Sequence, residues 1–131
     1  MRLDYELMNE ILTSFLDSEQ STLNIDSFLE LYEKDAQKLA HHLIIMEEKG
    51  LVIGAFPNGN MGIELECEGL YDFAYGTPWR LTSNGYDFAA ALTKTDILTT
   101  IKDKFQKEGL SAVIDISKKI AIKQATKLLD E

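Results

Sequence analysis

The stretch Arg80-Leu81-Thr82-Ser83-Asn84-Gly85-Tyr86-Asp87-Phe88-Ala89-Ala90-Ala91-Leu92 constrains this chain more than any other. An apolar strand ending at Leu81 runs straight into a helix. Thr82 or Ser83 stands where a side-chain oxygen caps the first turn. Gly85, without a Cβ, lets the helix come close to a strand. Tyr86, Phe88, Ala89 and Leu92 supply the face that the helix buries. A junction of this kind closes a small sheet, so the strands and helices that complete it are sought upstream.

They are found there in order. Asp4 is placed to cap a first helix, whose apolar stripe is Leu7, Met8, Ile11, Leu12, Phe15 and Leu16. Leu23 and Ile25 alternate with polar residues as a very short strand. Ser27-Phe28-Leu29-Glu30 has the spacing of a capping box and opens a short second helix. Asp35 caps a third helix over residues 35–49, with Ala36, Leu39, Ala40, Leu43 and Met46 on one side and Gly50 ending it. Leu51-Val52-Ile53 reads as a strand. A turn-rich segment, Pro57 to Gly62, separates it from Ile63–Cys67, where Ile63, Leu65 and Cys67 alternate with Glu64, Glu66 and Glu68. The expectation is a wing hairpin pairing Leu51–Ile53 with Ile63–Cys67, its outer face a ladder of carboxylates. An aromatic-rich connection, residues 69–78, leads to Trp79-Arg80-Leu81. Past the junction, residues 94–129 form two further helices, the second leaving Ile116, Ile122 and Leu129 outside its main stripe.

Composition limits what this framework does. A chain of 131 residues fits one hydrophobic core. Its longest apolar runs fall far below the roughly 20 residues of a membrane span. The start is acidic and lacks the apolar core of a secretory signal, and Cys67 is the only cysteine. A reduced, cytoplasmic protein is expected. The net charge of −9 is uneven. Residues 1–33 hold eight acids and one base, residues 51–92 five acids and Arg80, and residues 93–131 eight lysines against six acids. Phosphate neutralisation, the source of most affinity for nucleic acid, is therefore available mainly in the last third.

Four pieces of the chain stand together in a recognisable order. They are Met1-Arg2-Leu3-Asp4-Tyr5-Glu6-Leu7 with Ile11-Leu12, His42 to Val52, the Leu81 to Phe88 junction, and Ile101-Lys102-Asp103-Lys104-Phe105 with Gly109 onward. On these the chain resembles a winged-helix domain, and more specifically the phage- and prophage-associated family called domain of unknown function 2513. The resemblance implies an α+β, mostly helical fold: a winged helix-turn-helix over residues 1–92, then a C-terminal helical pair over 93–131, packed on it or serving to dimerise it.

Several constellations invite reading as sites. His41-His42 does not suit a metal, because neighbours on a helix point about 100° apart and no third ligand accompanies them. Gly59 and Gly62 lack the lysine and following helix of a phosphate loop. No nucleophile–base set stands out, so neither enzymatic activity nor a cofactor is expected. The third helix presents Gln37, Lys38, His41, Ile45 and Lys49 on its outer side, where a winged helix inserts into the major groove. Gln reads adenine, and Lys contacts guanine or phosphate. DNA binding through these residues is one expectation. The other is an acidic interaction module that presents Glu64, Glu66 and Glu68 to a basic protein, in the manner of a DNA mimic blocking a host polymerase, nuclease or defence protein. The lysine stripe Lys118, Lys119, Lys123 and Lys127 is a further nucleic-acid surface to consider. Homodimerisation through the last two helices is also expected.

Overall fold

The computed structural model describes residues 1–130 and is α+β and mostly helical, with two small antiparallel sheets. Helix α1 spans Tyr5–Asp17, and the Asp4 carboxylate accepts the Leu7 N–H at 3.1 Å at its start. Leu7, Met8, Ile11, Leu12 and Phe15 are buried as expected, whereas Leu16 lies at the surface. Leu23 exchanges both backbone hydrogen bonds with Trp79, at 2.8 and 2.6 Å. Ile25 does not continue this bridge. It begins a 3-10 turn, Ile25–Phe28, capped by the Asn24 side chain. The Ser27 capping box does not form, because Phe28 takes the N-cap position of the next helix.

That helix, α2, spans Leu29–Glu48 but breaks at Asp35, whose φ of −164° and ψ of 88° are extended. The Asp35 carboxylate accepts the Lys38 N–H at 3.0 Å, so it restarts the helix as a cap. At the far end Gly50 takes a φ of 70°. Its N–H bonds Glu47 and that of Leu51 bonds Met46, closing the helix in a Schellman motif.

Four three-residue strands follow: β1 Val52–Gly54, β2 Ile63–Leu65, β3 Tyr71–Phe73 and β4 Trp79–Leu81. Here the expected hairpin is overturned. β1 pairs with β4, with Val52 opposite Leu81, and β2 pairs with β3, with Ile63 opposite Phe73. Residues 55–78 are thus an insertion between two paired strands, carrying a hairpin of their own. The physical reason lies in burial. Val52, Trp79 and Leu81 reach the core and select one another across the ladder, while Leu65 and Cys67 stay exposed and gain nothing from pairing with β1.

Helix α3, Ser83–Leu92, begins where the junction placed it. Thr82 Oγ1 accepts the Gly85 N–H at 3.0 Å and also donates to the Gly50 carbonyl. A Cβ on Gly85 would stand 2.0 Å from the Leu51 carbonyl oxygen, which is why only glycine fits. Tyr86 points outward, and Ala91 joins Phe88, Ala89 and Leu92 in the buried face. Helices α4, Thr95–Lys104, and α5, Leu110–Leu129, complete the chain. Ile97, Ile101, Leu110 and Val113 belong to the same buried cluster as α1 and Leu43. The C-terminal pair is therefore part of the core that residues 1–92 also build. No helix among the described residues is long and apolar enough to cross a membrane.

Candidate functional site

The two surfaces singled out in the sequence meet each other. Gln37, on the first turn after the Asp35 break, donates from Nε2 to the Tyr71 carbonyl at 3.0 Å and accepts the Tyr71 N–H on Oε1 at 2.7 Å. Both ends of its amide are thereby occupied by the backbone of β3. Tyr32 stacks edge-on against Phe73 with centroids 5.6 Å apart. Phe73 in turn lies 6.1 Å from Trp79, whose indole N–H donates to the Met61 carbonyl at 2.7 Å in the core. The 55–78 insertion is thus fastened over the N-terminal part of the 36–48 helical leg.

The other residues expected to read DNA are also engaged. Lys38 Nζ lies 2.7 Å from the Asp4 carboxylate, tying α2 to the start of α1. Burial works to raise the Asp4 pKa, but the Lys38 hydrogen bond, the Leu7 N–H and the Lys38 charge hold it below the ordinary carboxylate value. His41 is half-buried, its ring edge-on to His42 at 5.5 Å. Ile45 is half-buried against the core, and Lys49 bonds the Ser111 hydroxyl. Gln37, Lys38 and Lys49 of this row therefore serve as joints between α2 and its neighbours. His42 is fully buried. Its Nε2 accepts the Asp4 N–H and its Nδ1–H donates to the Lys38 carbonyl, both at 2.8 Å. Burial lowers its pKa, although the Lys38 carbonyl and Asp4 oppose the shift. The described residues hold no cluster of three or more metal-ligating side chains.

The acidic ladder is reshaped as well. Only Glu64 lies on β2, and Glu66 and Glu68 sit in the tight turn that joins it to β3. Glu64 faces Asp72 across the ladder. Like charges opposite one another cost stability, so this hairpin carries a repulsion that its own fold does not need. The whole insertion, residues 55–78, contains these four acids and no lysine or arginine. It also exposes Phe56, Leu65, Leu70 and Tyr75. These four apolar residues were missed as a group, although the aromatic density of residues 69–78 was visible in the sequence. On α5, Lys119 pairs with Asp115 at 3.0 Å, Lys123 and Lys127 are exposed, and Lys118 is half-buried.

No protein-family model, curated protein or solved structure matches the chain. Its surface chemistry is what bears on function.

Proposed function

We propose that this is a small non-enzymatic interaction protein of phage or prophage type, which captures a basic segment of another protein through the 55–78 insertion. One observation carries this reading. The Gln37 amide is bound at both ends by Tyr71, so the insertion covers the helix turn that would otherwise enter a DNA groove. What the insertion offers instead is Glu64, Glu66, Glu68 and Asp72 around exposed Leu65 and Leu70. Carboxylates with apolar contacts between them complement a lysine- or arginine-rich, partly apolar partner, including the nucleic-acid groove of a polymerase, nuclease or defence protein.

The fold reading that accompanies this is a winged helix with an enlarged wing. It is supported by the Leu23–β4–β1 strand order and by a capped helical leg, 36–48, directly before β1. That same order favours a second reading, DNA binding by Gln37, Lys38, His41, Ile45 and Lys49 after the wing swings away. A gel shift on mixed duplex DNA in about 50 mM salt separates the two, because electrostatic binding is strongest there. Alongside it, a fluorescent arginine-rich peptide is titrated. The interaction reading expects no DNA shift, and peptide binding that weakens when Glu64, Glu66 and Glu68 are changed together to Gln. A DNA shift in the wild type, with a salt slope that falls by about one in Lys38→Ala, would establish the second reading instead.

A further inference from the structure

A shallow groove runs between α3 and α5, on elements other than the 55–78 insertion. Its floor is Ala90 and Ala91 from α3 and Ala121, Ile122 and Ala125 from α5. Two features of α5 leave this face without a partner in the single chain. The side of the helix that packs on the core runs Leu110, Val113, Ser117, and these are buried. Leu128 continues that side at helical spacing, yet it is 70% exposed, because the body ends before the helix does. A second row, Lys118, Ile122, Ala125 and Leu129, repeats at intervals of four, three and four residues. That is the spacing of a helix–helix seam. Ile122 is 65% exposed and Leu129 86% exposed.

From this we infer that two copies of this chain pair about a two-fold axis, α5 against α5, with the end of each helix covering the other copy's α3–α5 groove. The charges identify a second copy as the occupant. The groove's rim carries Asp87 together with Lys94 and Lys118. A patch with both signs permits self-complementarity about a dyad, with Asp87 of each copy answering a lysine of the other, as an isologous interface requires. A uniformly acidic or basic partner would set like against like at one side of the same rim. Ala125, midway along the seam, is small enough for the two backbones to approach there.

The test is sedimentation of the full chain from about 1 to 100 µM, a range that brackets a micromolar dissociation constant. The wild type is expected to pass from monomer to dimer. Ile122→Glu with Leu129→Glu is expected to weaken pairing by at least about thirtyfold, the loss typical of central interface residues. At about 1 µM, where the wild type is monomeric, its helicity and Tm should match the wild type, since both side chains are exposed in the single chain. In a Cys67→Ser background, Ala125→Cys is expected to form an intermolecular disulfide on mild oxidation, because a residue beside the dyad meets its own copy. Wild-type protein that stays monomeric across the range overturns the proposal. So does a double variant that dimerises like the wild type, which would place the interface elsewhere. A dimer that the double variant abolishes but that refuses the Ala125→Cys bond overturns the two-fold register.

Discussion

His42 ties the first residue of the α1 turn to the middle of α2, and it does so only as a neutral imidazole. Its Nε2 must keep a lone pair for the Asp4 N–H. Its pKa is depressed in the folded chain, so the unfolded chain takes up this proton first. Stability from His42 is therefore fully present above about pH 6.5, the unfolded value, and is lost as pH falls through the lower folded value. Urea midpoints measured from pH 7.5 downward should fall across that window in the wild type, and the fall should flatten in His42→Ala, which starts about 1–3 kcal/mol less stable for want of the buried acceptor. Tyr5 titrates at the other extreme. Burial first, and the Glu108 charge second, push its phenol up to about 12 while it donates to the Glu108 carbonyl at 2.6 Å. Ser117 shows the opposite bookkeeping. Its side chain is fully buried and its hydroxyl has no hydrogen-bond partner among the described residues. Ser117→Ala removes a desolvated group without leaving a hole, and should raise stability by about 1 kcal/mol in a denaturant titration.

At the scale of elements, two junctions hold the sheet to the helices. At Gly85, α3 lies against the Leu51 carbonyl. Alanine in place of this glycine gains about 1 kcal/mol of helix propensity, but the Cβ meets backbone that has nowhere to move. The steric cost of about 1–3 kcal/mol wins, and Gly85→Ala should melt at lower temperature than the wild type. The insertion is held at Gln37. Gln37→Ala strips both backbone partners from Tyr71 and should cost about 1–2 kcal/mol. Its signature is local: the Tyr71 amide should exchange with solvent faster, while amides of Leu43 and Met46 in the same helix keep their protection. Equal loss of protection at all three would show that the insertion and the helix open as one unit, and that Gln37 is no separate latch.

For the molecule as a whole, one buried cluster includes residues from both the first 92 positions and the C-terminal helices. Ile97, Ile101, Leu110 and Val113 are buried with Tyr5, Met8 and Leu92, and Lys102 reaches Glu6 while Lys49 reaches Ser111. A chain ending at Leu92 would expose the faces that these residues cover, and should lose cooperative thermal unfolding. A chain ending at Ala121 keeps every buried residue of α5 and, at concentrations where the full chain is monomeric, should unfold cooperatively near the full-length Tm. If the chain ending at Leu92 melts as sharply as the full one, the C-terminal helices are an appendage and the single-core description fails.

The sequence by itself determined the main apolar stripes of the helices, the caps at Asp4 and Asp35, Thr82 or Ser83 as the cap of α3, and the Gly50 stop. Each depends on residues within one or two turns, where periodicity and capping leave few alternatives. Strand pairing was not legible. Four strands of three residues carry too little alternation to name their partners, and the choice of β4 over β2 for β1 was made by burial around Trp79. The contacts made on the outer face of α2 were not legible for the same reason. Gln37, Lys38 and Lys49 look free on a helical wheel, and only the tertiary structure lays Tyr71, Asp4 and Ser111 against them. A polar side chain's role is decided by what comes to rest on top of it, and that information lies 34 residues away for both Gln37 and Lys38 and 62 for Lys49.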